Sequence, residues 1–235
     1  MKTDFKGKWA VVIGGSSGIG KELCKQLHDL GATVYNISRS ENQELECKGV
    51  INRPCDILNT KKLKENLEGL ANIDFLINVA GTNLCEPIEN ISEEEWDRVL
   101  DTNLKSFFVA SKVAISKMKK GSRIVNVSSI AGQSKSLVSG VHYTASKAGI
   151  IGLTRQLAVE AGPKGINVNC TAPSQTITPM LVESMTYEQR TNLASSIPLR
   201  RLASPEDQVG PILFLLSSWS NYVNGAIIDV NGGQL

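Results

Sequence analysis

Seven residues near the amino terminus, Gly14-Gly15-Ser16-Ser17-Gly18-Ile19-Gly20, constrain the fold more than any other stretch. They follow the apolar run Trp9 to Ile13, which has the composition of a short strand buried on both faces. They precede Lys21 to Leu30, where Leu23, Leu27 and Leu30 recur at helical spacing and Gly31 stops the pattern. A strand that turns through glycines straight into a helix lets backbone approach a ligand closely and leaves helix-start N–H groups free for negative charge, which suits a pyrophosphate. A glycine cluster alone is often only a turn, and Gly-x-x-x-Gly-x-Gly is not the commonest dinucleotide spacing. The strand before it and the helix after it favour the dinucleotide reading.

The alternation continues. Thr33 to Ile37, Phe75 to Val79, Arg123 to Val127 and Ile166 to Ala172 read as strands, with helix-like segments between most of them, so the chain is of the α/β class with a parallel sheet covered on both faces. Ser92-Glu-Glu-Glu95 has capping-box spacing, and Ser204-Pro205-Glu206-Asp207 sets a cap residue before proline and first-turn acids. The acids 93–95 are most simply helix-terminus electrostatics. No linker, repeat or low-complexity segment divides the 235 residues, which predicts one domain over 1–235. Residues 179–196 carry scattered apolar side chains between a strand and Pro198, either as a lid over a pocket or as a surface helical hairpin.

Composition narrows the function. A hydrophobic content of 41%, 20% charged residues and a net charge of +2 describe a globular chain without the electrostatic footprint of a nucleic-acid or membrane-surface binder. The five scattered cysteines, Cys24, Cys47, Cys55, Cys85 and Cys170, include no Cys-x-x-Cys pair and read as reduced thiols of a cytoplasmic protein. With only His28 and His142, no metal-ligand spacing exists, and no metal is expected. No signal-peptide core opens the sequence, and no apolar run approaches a membrane span.

At the end of the second strand stand Ser38 and Arg39, where a cofactor lacking the 2′-phosphate would favour an acid. An arginine holds a phosphate by paired charge-assisted hydrogen bonds, so NADP(H) is expected over NAD(H); the alternative is a solvated loop arginine. Tyr143 and Lys147 share a helix face at a spacing of four. Bringing a phenol from a pKa of about 10 to about 7 takes roughly 4 kcal/mol. A cation at about 4 Å in a medium of effective dielectric about 20 supplies roughly that. Alone, Tyr-x-x-x-Lys is a common accident.

Its company is not. The glycine loop, Asn78-Val-Ala-Gly81, Asn103, Ser128-Ser129 and Tyr143-x-x-x-Lys147 occur in an order that resembles the short-chain dehydrogenase/reductase family from about residue 5 to the end. Asp56-Ile57, Ala172-Pro173 with Thr178, and the closing Asn224-Gly225 to Gly233 extend the resemblance. It implies a single Rossmann-type domain with a doubly wound parallel sheet of about seven strands, binding dinucleotide mainly through 5–125 and carrying catalysis and substrate mainly on 126–235. It also implies that Tyr143 exchanges the proton with the substrate oxygen, that Ser129 hydrogen-bonds that oxygen, and that Lys147 lowers the tyrosine pKa and holds the nicotinamide ribose. Asn103 would support a water leading from Lys147. The cofactor would be met by Gly14, Ser16, Ser17, Gly18, Ile19, Gly20, Ser38 and Arg39, by Asp56 and Ile57 at the adenine, and by Asn78, Val79, Ala80 and Gly81 on the adenosine side. Thr176 and Thr178 would contact the carboxamide or phosphates.

The chain departs from the family pattern at Ile13, Val79 and Ser174, where threonine, asparagine and glycine are usual, and in a short 40–50 link with little room for a helix. The reading is an NADPH-dependent ketone reductase that resembles 3-oxoacyl-thioester reductases, with Lys120 and Lys164 at basic positions resembling those that meet an acidic acyl carrier. By resemblance it is a homotetramer whose interface includes 221–235. A reductase or dehydrogenase of a specialised metabolite, diol or steroid-like ketone would use the same four residues. A non-catalytic dinucleotide sensor on the same fold is the rival from another class.

Overall fold

In the computed structural model, residues 4–136 and 138–235 are described. The elements run β1 (Trp9–Ile13), α1 (Gly18–Asp29), β2 (Thr33–Ser38), α2 (Gln43–Cys47), β3 (Ile51–Pro54), α3 (Thr60–Glu68), β4 (Phe75–Asn78), α4 (Glu93–Leu100), α5 (Ser106–Lys117), β5 (Arg123–Val127), α6 (Val141–Ala161), β6 (Asn167–Pro173), α7 (Pro179–Ser184), α8 (Tyr187–Ser196), α9 (Pro205–Leu216) and β7 (Ile227–Val230). All seven strands pair in parallel in the order β3-β2-β1-β4-β5-β6-β7. The order reverses between β1 and β4, and the crevice outside the carboxyl ends of those strands is where such a sheet binds ligands.

Period-two alternation in the central strands sends side chains to two separate cores. Val11, Ile13, Leu76 and Ile124 pack with Leu63 and Leu67 of α3 and with Val109, Ala110 and Ala114 of α5. Ala10, Val12, Ile77 and Val125 pack with Leu23 and Leu27 of α1 and with Val209, Ile212 and Leu215 of α9. Both faces are therefore covered, which is why these strands read as unbroken apolar runs.

Local signals behave as their chemistry dictates, with two corrections. Ser204 and Asp207 form a reciprocal capping box at α9, whereas Ser92 caps α4 by accepting from the Glu95 N–H while the Glu95 carboxylate turns to Arg98 instead of back to Ser92. The short 40–50 link does hold a helix, the five-residue α2, capped by Asn42 and tied to α1 by Glu44, which pairs with Lys21 at 2.5 Å and Lys25 at 2.6 Å. Residues 179–196 form two short helices, α7 capped by Thr178 and α8 by the Thr186–Gln189 box. Among the described residues the five cysteines are free thiols, and no helix is long and apolar enough to cross a membrane.

Candidate active site

The glycine loop is shaped by contacts only glycine tolerates. Gly14 has φ +94°, and a Cβ there would lie 2.7 Å from the Ala80 backbone. A Cβ on Gly15 would strike Asn36 and Cys24, and one on Gly18, at φ +52°, would lie 2.9 Å from Thr178 Cγ2. The loop is thus pressed between β4 and the start of α7, and Thr178 stands over Gly18. Ser17, at the N-cap of α1, makes no side-chain cap bond, so the first N–H groups of that helix have no side-chain partner from it. A narrow cradle lined by backbone N–H groups fits a dinucleotide pyrophosphate.

What holds the loop was not among the sequence candidates. Gly15 N–H donates to Asn36 Oδ1 at 3.0 Å, Asn36 Nδ2 donates to Asn52 Oδ1 at 2.9 Å, Asn52 Nδ2 to the Asn42 carbonyl at 3.2 Å, and Asn42 Nδ2 to the Ser16 carbonyl at 2.9 Å. Three asparagines therefore tie the loop to β2, β3 and the cap of α2. One signal was present: Asn36 is a polar residue inside an apolar strand run, and a buried amide has to be satisfied by something.

Beside this frame Ser38 is buried, its hydroxyl donating to the Ser40 carbonyl at 2.9 Å. Arg39 is exposed, with no ion pair among the described residues. Asp56 is exposed and accepts the Leu58 N–H at 3.0 Å, while Ile57 is buried beneath it. Asn78 sits differently from the adenosine-lining expectation: its buried side chain donates to Asn126 at 2.8 Å, and Asn126 donates to Thr154 of α6 at 3.0 Å. The N–H groups of Val79 and Ala80 both go to the Ile13 carbonyl at 2.9 Å, so that segment clamps β1 to β4 with its backbone. Thr176 is buried, donating to the Ser174 carbonyl at 3.0 Å.

The other half of the site forms where β5 ends. Ser128 and Ser129 follow that strand with different duties: Ser128 Oγ donates to the Lys147 carbonyl at 2.7 Å, whereas Ser129 accepts the Ala131 N–H at 3.1 Å and reaches the Tyr143 phenol. Gly132 lets this turn lie on α6, since a Cβ there would fall 2.6 Å from the Lys147 backbone. Lys147, only 3% exposed, donates from Nζ to the Val127 carbonyl at 2.9 Å. Asn103 lies in a π-helical turn, Asp101–Lys105, that joins α4 to α5. Its Oδ1 accepts the Thr82 N–H at 2.8 Å, and its Nδ2 donates to the Thr82 carbonyl and to Ser146 Oγ, each at 3.0 Å. Gly81 fills the space between them: a Cβ there would be 3.5 Å from Lys147 Nζ and 3.6 Å from Asn103 Oδ1.

Burial dominates the electrostatics of Tyr143 and Lys147. Burial pushes the Tyr143 phenol up, and its hydrogen bond with Ser129 pulls it down. Lys147 is brought down to about 8 by burial. Its Nζ lies 5.5 Å from the Tyr143 ring centre and donates to the Val127 carbonyl. In this structure the phenol is an acid, protonated and ready to donate.

Lys120 and Lys164 are brought together, because Gly121 N–H donates to the Gly165 carbonyl at 2.8 Å. They lie before β5 and β6 begin, at the opposite end of the sheet from Ser129 and Tyr143, so within one chain they do not flank the site.

The family model described as Enoyl-(Acyl carrier protein) reductase matches residues 13–234. The 3-oxoacyl-[acyl-carrier-protein] reductase FabG of Rickettsia typhi is 34% identical to this chain over 99% of it and 98% of that protein. Acetoacetyl-CoA reductase of an Acinetobacter species is 36% identical over 96% of this chain and 97% of that protein. Among solved structures, a 3-oxoacyl-[acyl-carrier protein] reductase from Brucella melitensis superimposes with a TM-score of 0.88 at 29% identity, covering 99% of this chain and 93% of that one.

Proposed function

The chain belongs to the short-chain dehydrogenase/reductase family and is an oxidoreductase of it, and on that premise we propose that it reduces a ketone to a secondary alcohol with NADPH, the ketone being a 3-oxoacyl thioester. The observation that carries this reading is the meeting of Ser129, Tyr143 and Lys147 at the carboxyl end of β5, beside the glycine cradle. The substrate class comes from the two relatives whose names are 3-oxoacyl and acetoacetyl thioester reductases. Since Lys120 and Lys164 face the far end of the sheet, the thioester itself, rather than contact of a carrier protein with those two lysines, supports the choice.

Bound in the cradle, a reduced nicotinamide would be the source of the hydride that reaches the carbonyl carbon. The protein's share is to place the carbonyl and to protonate its oxygen. Ser129 Oγ, within reach of the phenol, donates to that oxygen and fixes it against Tyr143. Tyr143 gives its phenolic proton to the carbonyl oxygen as that oxygen takes on alkoxide charge, leaving a phenolate, which is what a phenol held in its acid form can do. Lys147 holds its ammonium beside the developing phenolate, and Asn103 fixes the Thr82 backbone and Ser146 next to it. Gly14 to Gly20 would cradle the pyrophosphate, and Arg39 would take the 2′-phosphate with Ser38 beside it, which makes NADPH the preferred form. Asp56 and Ile57 would meet the adenine, and Thr176 and Thr178 the carboxamide or phosphates. The working assembly is a homotetramer.

Acetoacetyl-CoA with NADPH tests the reading. Wild type turns over. Tyr143→Phe loses about 10²- to 10⁴-fold in kcat while binding NADPH as tightly, the range a positioned acid supplies. Arg39→Ala weakens NADPH binding about tenfold or more and leaves NADH unchanged, the size of a lost charged hydrogen bond. Equal NADH and NADPH affinity in wild type overturns the cofactor assignment, and no thioester reduction with either overturns the substrate.

A further inference from the structure

One buried group next to Tyr143 in the chain has no part in the proton transfer. His142 is the second residue of α6 and is 0% exposed. Gly140, at the N-cap of that helix, has no side chain with which to cap it, and the first backbone bond of the helix runs from Thr144 N–H to the Gly140 carbonyl at 3.1 Å. The Tyr143 N–H must therefore find its acceptor outside the helix ladder. It donates to Nδ1 of His142 at 2.9 Å. Glycine at 140 is what permits this, since a Cβ there would lie 2.5 Å from the imidazole Cε1 and 2.8 Å from Nδ1.

A ring nitrogen that accepts a hydrogen bond carries no proton, so the imidazole hydrogen sits on Nε2. Nε2 is buried without a hydrogen-bond partner, and Glu95 Oε1 of α4 lies 3.9 Å from it. Glu95 is itself fixed by Arg98, whose Nε and Nη2 donate to its two oxygens at 2.7 and 2.6 Å. A carboxylate facing Nε2 favours the hydrogen there and leaves the Nδ1 lone pair free for Tyr143. The chain of contacts thus runs from α4 through the ring to the backbone of the residue that bears the phenol.

We propose that His142 is a positioning residue for Tyr143: its Nδ1 anchors the Tyr143 N–H, fixes where α6 begins, and so sets the phenol against Ser129. The kinetic side rests on the reductase reading; the structural side does not. Two variants separate the acceptor from the bulk of the ring. In His142→Asn the amide oxygen occupies the place of Nδ1, whereas in His142→Gln the amide lies one atom further out, at the place of Nε2. Both lose the ring's packing, so the difference between them isolates the acceptor.

The expected result with acetoacetyl-CoA and NADPH is that His142→Asn stays within about threefold of wild-type kcat, while His142→Gln loses about tenfold or more with KM and NADPH affinity changed less than about twofold, since misplacing a reacting group taxes the chemical step. Amide hydrogen exchange at Tyr143, which needs no substrate, is slow in wild type and His142→Asn and faster in His142→Gln. Equal kcat losses in the two variants, or equal protection of the Tyr143 amide in all three proteins, overturn the inference. If wild type reduces no ketone, the reductase reading fails by itself and the exchange measurement still decides on His142.

Discussion

At the scale of single residues, Lys147 carries a prediction that needs no substrate. Its ammonium is buried and brought down to about 8 from an ordinary value of 10.5. Between those two values the unfolded chain holds a proton that the folded chain has released, so folding stability attributable to this group rises with pH across that window. Below pH 8 the cost of burying the charge is fully present. Each unit of the difference is worth about 1.4 kcal/mol, so the rise amounts to a few kcal/mol at most. Urea unfolding of wild type and Lys147→Met at a series of pH values checks it: the stability of wild type relative to the variant should rise from pH 8 to pH 10. A constant difference would mean that the lysine keeps an ordinary pKa in the fold. Residues of this kind were legible in sequence because Asn103, Ser129, Tyr143 and Lys147 stand in a recognisable order. His142 was not, because it acts through a backbone N–H that leaves no spacing pattern, and Asn36 showed only as a polar residue in an apolar run, with nothing to say which amides it would meet.

Among the elements, the asparagine frame makes the clearest test. Asn36 joins β2 to the glycine loop and to β3, and Asn42 joins the cap of α2 to Ser16. Asn36→Leu keeps the branching and heavy-atom count of the side chain but leaves the Gly15 N–H without its acceptor, at a cost of roughly 1–3 kcal/mol for a buried unsatisfied group. The loop would lose its fixed shape, so NADPH and NADH should both bind more weakly, by similar factors. Arg39→Ala should affect NADPH alone. Calorimetric titration of both cofactors into both variants separates a loop-shaping residue from a phosphate ligand, and an Asn36→Leu protein that binds either cofactor as tightly as wild type would show that the loop holds its shape unaided. The strands and helices themselves were readable where one period dominated: Arg123–Val127 stands as the apolar run implies, β2 runs one residue further, to Ser38, and β6 is shifted by one residue at both ends. The five-residue α2 was not, because no apolar period spans so short a segment and its stability comes from Asn42 at one end and from Glu44 held by two lysines.

For the whole molecule the unanswered surfaces are apolar. On α5 and α6, Phe108 is 48% and Val159 69% exposed, and Ala145, Ala148 and Gly152 form a small-residue track along the same helix as Val159. A second face, before β7, exposes Trp219 and Tyr222. Scattered exposed apolar side chains need no explanation, but helices with both large and small apolar positions facing solvent allow close approach of a second pair, and two separate patches are what a tetramer built from two isologous interfaces requires. Sedimentation equilibrium should give a four-chain mass for wild type. Phe108→Glu with Val159→Glu should stop assembly at dimers joined through the second face, Tyr222→Glu with Trp219→Glu at dimers joined through α5 and α6, and all four substitutions together at monomers. These positions lie outside the glycine cradle and the Tyr143 cluster, so NADPH should bind the smaller species, and any loss of turnover would then report how far the assembly steadies the elements around Asn103. A wild type that sediments as a monomer at micromolar concentration would mean that both patches stay wet, and the tetramer would be withdrawn.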